Sequence, residues 1–337
     1  MAGRRKKNHH LPDRVYFHRG GHFYVDDAGK WHRLGKKWDR QAKETWLELS
    51  EGKGRDGSVA KLLDDFLEKC EELVRAGKRA KRTYADNEVE ARALKLVLGR
   101  TTAHLVTSRH VKSYLNKRND KDGRPAPVRA NREVALLSSA YAWAMGRDEW
   151  PQVALNPCYG VRRNAESPRR EYVQTAQLVR FGKAFTPDWM RRYILLKRIT
   201  GLRQGDMLRL TPANITPRGL EVVTGKTRKR MRFRWSWGLR IVLDAIIASH
   251  GDVKKLALFP ARHGGRMSSL GFRAAWARAM NEFVDAGGVR FRENDIRAKA
   301  ASDASSLARA QELLGHDKAS TTARHYRRGI AKVTPLR

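Results

Sequence analysis

The spacing of apolar residues changes character twice along this 337-residue chain, which excludes a single repeated architecture and demands several kinds of folding unit. Near the start, Val15-Tyr16-Phe17, His22-Phe23-Tyr24-Val25 and Trp31-His32-Arg33-Leu34 are short aromatic and β-branched runs. The turn clusters Arg19-Gly20-Gly21 and Asp26-Asp27-Ala28-Gly29 separate them, so this stretch predicts a three-stranded antiparallel sheet. Ala42, Trp46 and Leu49 then fall at helical spacing, predicting a helix over 39–50 that covers one face of the sheet. The glycine-rich run 51–58 reads as a linker.

From Val59 the period lengthens to that of a helix. Val59, Leu62, Leu63, Phe66 and Leu67 form one stripe, and 106–115 carries a second apolar face. Val134, Leu137, Tyr141 and Ala144 form a third, with Asn131 predicted as its N-cap. Such stripes are core packing and carry no chemistry. Asn156-Pro157 stops the bundle, and 162–172 is a basic, proline-containing connector. Period two returns in Leu220–Val223 and Met231–Trp235, strands that flank the loop Thr224–Lys229. Arg228, Arg230, Arg232 and Arg234 alternate there with Lys229, Met231, Phe233 and Trp235, so one face can pack and the other can meet phosphates. The expected fold is therefore multidomain and mainly α. A small β-sheet domain with its linker spans 1–56, a helical domain with its connector spans 57–169, and a mixed α+β domain spans 170–337.

Charge narrows the partner. Seventy Lys+Arg face 35 Asp+Glu, a net charge of +35, while 41% of residues are hydrophobic. The chain can bury real cores, so it is no disordered basic tail, and the excess points to a polyanion, above all nucleic acid. The net charge is +6 over 1–56, +8 over 57–169 and +21 over 170–337. Cys70 and Cys158 are too few for a disulfide framework, which favours a reducing cytoplasm. The charged N-terminus is not followed by an apolar segment, so no signal peptide is expected, and no run is long enough to span a membrane.

No zinc spacing, phosphate-binding glycine loop or nucleophile elbow is present. The acids of 170–337 are scattered singly, which argues against a two-metal nuclease. Metal-free attack on a phosphodiester needs a nucleophile, fixed cations and a general acid. The third region holds candidates in a definite order. Thr200-Gly201-Leu202-Arg203 ends a helix and offers an arginine, with Asp206 close behind, and Lys226 lies in the loop between strands, beside Lys229. Asn294-Asp295-Ile296-Arg297 brings a second arginine, with Asn294 one turn before it. Leu313-Leu314-Gly315-His316 closes a helix and presents a histidine. Tyr326 follows ten residues later in Ser320-Thr321-Thr322-Ala323-Arg324-His325-Tyr326.

In this order and spacing, 170–337 resembles the catalytic domain of the tyrosine recombinases, the phage integrase family. The stretch from Arg4 to Lys36 resembles the arm-type DNA-binding domain of lambda-type integrases, and the middle helices stand where the core-site-binding domain would be. The resemblance implies that Tyr326 attacks the scissile phosphate to leave a 3′-phosphotyrosyl bond and a free 5′-hydroxyl. Arg203 and Arg297 would clamp the non-bridging oxygens, Lys226 would protonate the leaving oxygen, and His316 would hydrogen-bond the phosphate. Asp206 would hold Arg203. The family commonly has His at Asn294; Asn donates a hydrogen bond but exchanges no proton near neutral pH. DNA contacts are expected from Arg4, Arg5, Lys6 and Lys7 and from Arg228, Arg230 and Arg232. No metal or cofactor is implied. The implied partners are double-stranded attachment-site DNA, core and arm, on which the chain forms a homotetramer, together with a DNA-bending accessory protein and an excisionase. The implied location is the cytoplasm, at the nucleoid. Two other readings share these residues: a type IB topoisomerase-like relaxing enzyme, and a DNA-binding protein whose catalysis is weakened by Asn294.

Overall fold

The computed structural model describes residues 11–12, 14–26, 29–50, 56–250, 256–261 and 264–328. The Arg4–Lys7 run lies outside them. The chain divides into two compact units, Met1–Ser167 and Pro168–Arg337. The break falls within the connector, two residues before the expected start of the third region.

In the first unit, β1 (Val15–His18), β2 (Gly21–Val25) and β3 (Trp31–Gly35) form the expected antiparallel sheet in that order. The β1–β2 turn is tight because Arg19 and Gly20 both take left-handed backbone angles. Helix α1 (Arg40–Ser50) supplies the cover: Ala42 and Trp46 bury against Val15, Tyr24 and Leu34, whereas Leu49 is exposed.

Four helices come next: α2 (Val59–Arg75), α3 (Lys81–Leu98), α4 (Ser108–Lys117) and α5 (Pro127–Ala144). The Ser58 hydroxyl accepts from the Lys61 amide and caps α2. The predicted stripes form one core of their own, in which Leu62, Leu63, Leu94, Val134 and Leu137 are wholly buried. Each such side chain contributes about 1.5–3 kcal/mol by leaving water.

Asn131 is not an N-cap. Helix α5 starts four residues earlier with Pro127 in its first turn, where the missing amide costs nothing. Asn131 is instead buried in the helix, where its side chain donates to Asn164 O at 2.9 Å and accepts from Asn164 N at 2.9 Å. It thereby pins the connector, acting as a substitute backbone strand. The same helix buries Glu133, whose carboxylate accepts from Tyr114 Oη at 2.7 Å and from two nitrogens of Arg118 at 2.7 and 2.8 Å. A carboxylate with so little exposure is tolerable only when its lone pairs are met in this way.

The second unit opens with α6 (Thr175–Ala184), α7 (Asp188–Thr200) and the short α8 (Gln204–Met207). An antiparallel sheet comes after them, made of β4 (Ile215–Thr216), β5 (Gly219–Val223) and β6 (Arg230–Phe233). The two-residue β4 is not evident in the sequence because it is too short for a period. Helices α9 (Trp237–Ala248), α10 (Ser269–Asp285), α11 (Glu293–Ser302), α12 (Leu307–Leu314) and α13 (Ala319–His325) complete the unit. Phe181 is central to its core, with the Phe283, Phe291 and Trp276 rings 5.1–5.3 Å away in tilted or edge-on contact. Helix α11 is enclosed: Asp295 through Ala301 are all buried, three charged residues among them. Enclosure on all sides is why its sequence shows no apolar stripe. Among the described residues no helix is long and apolar enough to cross a membrane.

Candidate active site

Two glycines shape the site. Gly201 at the end of α7 and Gly315 at the end of α12 take left-handed angles, φ 62° and 65°, and stop their helices as the sequence predicts. At either position a side chain would displace a neighbouring one. A Cβ at Gly201 would lie 2.7 Å from Leu314 Cδ2, and one at Gly315 would lie 2.6 Å from Met231 Sδ.

The guanidinium of Arg297, 1% exposed, lies between these two helix ends. One terminal nitrogen donates to Gly201 O and the other to Leu314 O at 2.9 Å. Helix C-termini leave carbonyls unpaired and carry partial negative charge, so they accommodate a buried cation without a carboxylate. Burial, followed by repulsion from Arg203, lowers the Arg297 pKa to about 10, still well above neutral pH. Its Nε has no partner among the described residues.

His316, immediately after Gly315, is 8% exposed. Its Nε2 lies 2.9 Å from Arg297 Nη2, which can only donate, so Nε2 accepts. The proton therefore sits on Nδ1, which donates to Thr322 Oγ1 at 2.9 Å. Burial and then the charges of Arg297 and Arg203 push the imidazole pKa down to about 4. Tyr326 ends α13, half-buried. Its ring centroid is 4.9 Å from that of His316, and the Arg297 guanidinium carbon lies 5.3 Å from it.

Arg203 begins α8 half-buried, and among the described residues its side chain has no partner. Asp206 does not hold it. The Asp206 carboxylate, 4% exposed, accepts from Gly225 N at 2.8 Å and from Arg209 instead. It thus fastens the β5–β6 loop to the helix that Arg203 opens. That loop is further closed on Thr224, whose amide donates to Lys229 O at 2.9 Å and whose carbonyl accepts from Arg228 N at 2.9 Å. Lys226 stands exposed on it without a side-chain partner among the described residues, and its charge contributes to lowering the His316 pKa. Lys229 is turned toward Asp317, 3.4 Å away.

Asn294 is exposed in the first turn of α11 while Arg297 is buried, so their shared helical spacing does not give them a shared environment. Along β6 the alternation holds: Arg230, Arg232 and Arg234 are exposed, and Met231, Phe233 and Trp235 are half-buried. Arg228 precedes the strand in a left-handed conformation, φ 56°, and Arg232 pairs with Glu221 at 2.8 Å.

Several supporting residues escaped sequence reasoning. Lys197, wholly buried, donates to Leu202 O at 2.8 Å and pairs with Glu293 at 2.6 Å, joining the Gly201 turn to the start of α11. Burial lowers its pKa. The available signal was positional, because Lys197 occupies the apolar stripe of Met190, Tyr193 and Ile194. Thr322 and Asp295, both buried, had no such signal.

Residues 172–331 match the model of the phage integrase family. The chain is 23% identical over 355 aligned positions to the integrase of Escherichia phage HK022, with 96% of each chain covered. Its fold is similar to that of a lambda integrase dimer bound to a core site, with a TM-score of 0.67, 21% identity and 99% of both chains covered. A lambda integrase tetramer bound to a Holliday junction gives 0.67 at 19% identity, covering 98% of this chain and 99% of that one. The Tn1549 transposon integrase in complex with transposon right-end DNA gives 0.65 at 15% identity, covering 82% of this chain and 96% of that one. With the motifs in family order and Arg297, His316 and Tyr326 gathered at one place, residues 172–331 form a domain of the phage integrase family, the tyrosine recombinases that break and rejoin DNA site-specifically.

Proposed function

We propose that this recombinase integrates and excises a prophage or similar mobile element at attachment sites, and that Tyr326 is its nucleophile. The Tyr326 hydroxyl gives its proton to water as its oxygen attacks the phosphorus, a 3′-phosphotyrosyl bond forms, and the bond to the 5′-oxygen breaks. Lys226 supplies the proton to that oxygen, and Arg203, Arg297 and His316 stabilise the crowded phosphate. The observation that carries this reading is the contact set around Tyr326: a buried guanidinium 5.3 Å from its ring and an imidazole 4.9 Å away, themselves hydrogen-bonded. Lys226 is favoured over its neighbour because Asp317 engages Lys229.

In this reading 170–337 is the catalytic domain, 57–169 binds core sites, and 1–56 binds arm sites. Arg4, Arg5, Lys6, Lys7, Arg228, Arg230 and Arg232 contact the DNA. The chain acts as a homotetramer on double-stranded DNA, with a DNA-bending accessory protein and an excisionase setting direction. Holding two kinds of site at once raises the effective concentration of each for the other. Incubating the protein with a nicked suicide attachment-site duplex tests the chemistry. A denaturant-stable protein–DNA adduct is expected from the wild type. Tyr326→Phe should abolish it with binding unchanged, and an adduct surviving that change would identify a different nucleophile.

A further inference from the structure

Helix α13 is a weak platform for a nucleophile. It has seven residues, of which Thr322 alone is buried among those described, and Tyr326 stands at its very end. The chain beyond Tyr326 is held much more firmly. The guanidinium of Arg328 donates to Asp295 Oδ1 at 2.6 Å, and the side chains of that pair are 8% and 2% exposed. It also donates to Glu171 O at 3.3 Å and His325 O at 3.1 Å, while its amide donates to Ser302 Oγ at 2.7 Å. Ser302 Oγ in turn lies 3.1 Å from Tyr326 O. Asp295 is itself fixed: its second oxygen accepts from Arg292 N at 2.8 Å and pairs with Arg169 at 3.2 Å.

We infer that Arg328 is a positioning residue that retains Tyr326 in the active site of its own chain. A tyrosine at the end of a short helix reaches its own Arg297 and His316 only if the chain beyond it is anchored near α11, the helix that bears Arg297. Asp295 and Ser302 are the anchor points, the first two residues before Arg297 and the second one turn after Ala298 on that helix. When Arg328 is removed, Asp295 Oδ1 loses its partner, but Oδ2 keeps Arg169 and the Arg292 amide, so the charge of the carboxylate stays paired. The expected consequence is release of the nucleophile with the fold preserved.

This inference rests on Tyr326 being the nucleophile, which the wild-type adduct tests separately in the same assay. Two full-length chains are mixed on a suicide duplex carrying two core half-sites. One chain carries Tyr326→Phe and lacks a nucleophile. The other carries Arg203→Ala, has the tyrosine and lacks a phosphate clamp, and bears a size tag so that its adduct is recognised on a denaturing gel. With Arg328 intact, this mixture should give little adduct. Adding Arg328→Ala to the tagged chain should raise the tagged adduct at least tenfold, because its tyrosine now serves the untagged chain's site. In an otherwise wild-type chain, Arg328→Ala should slow cleavage about tenfold or more, and Arg328→Lys, which can keep the ion pair, should restore part of it.

A tagged adduct equally strong with Arg328 intact would overturn the inference. So would slower cleavage in the Arg328→Ala chain without any transfer, which would mark the residue as merely structural. If Arg328→Ala weakens binding to core DNA, Ser302→Ala decides in the same mixture, since it removes the tie to Tyr326 and leaves the ion pair. The same gain of tagged adduct is expected there, and its absence would count against the tether. A wild-type chain that forms no adduct would instead remove the premise.

Discussion

The protonation of His316 can be followed directly. Its ring, held between Arg297 and Thr322, has a folded pKa near 4 against an ordinary value of 6.5. The unfolded chain therefore binds this proton more readily. The resulting contribution to stability is complete above about pH 6.5 and is lost as pH falls toward 4, by at most about 3 kcal/mol. An NMR titration of the His316 ring should show a midpoint near 4, and one near 6.5 would contradict the burial described. Asn294 gives a second residue-scale test. It is exposed in the first turn of α11, so Asn294→His should leave adduct formation unchanged or raise it. A sharp drop in the single-turnover rate would show that Asn294 has a role of its own. Tyr326, Arg203, Lys226, Arg297 and His316 could be proposed from the sequence because each sits in an ordered motif. Lys197 and Asp295 could not, because burial decides their importance. Lys197 pairs with Glu293, and Asp295 pairs with Arg328 and Arg169, none of these charges within one helical turn.

At the scale of elements, two of the motifs are helix stops as much as chemical signatures. Replacing Gly315 by alanine puts a side chain into a left-handed backbone, which costs about 1–2 kcal/mol before Met231 is displaced. Urea unfolding of Gly315→Ala should register at least that loss, and adduct formation should fall with it because His316 is the next residue. The amphipathic helices and the first sheet were readable because their apolar period survives on a half-buried surface. Helix α11 was readable only as the turn from Asn294 to Arg297, since burial of Asp295–Ala301 erases the period that an amphipathic helix displays. The start of α5 differs from the expected one for a related reason. Asn131 has a capping residue's chemistry but meets the connector at Asn164, a contact between residues far apart in sequence.

For the molecule as a whole, the proposed arm and core grips lie in the first compact unit, and the proposed chemistry lies in the second together with the DNA contacts of Arg228, Arg230 and Arg232. Deleting 1–56 should weaken binding to arm sites and spare cleavage of core sites, as checked by gel shift and by the suicide-duplex assay. Removing a net charge of +6 should also flatten the fall of arm-site affinity with salt. Cleavage that failed together with arm binding would show that the first 56 residues also serve the core reaction. The seat of Arg297 has a further meaning at this scale. Its guanidinium joins the ends of α7 and α12, segments more than a hundred residues apart, and it is also the proposed clamp on the phosphate. An enzyme built this way disarms itself when it begins to come apart. In the proposed mechanism, any local opening that parts the two helix ends takes this clamp away from Tyr326, so a partly unfolded copy left on a chromosome would nick it poorly.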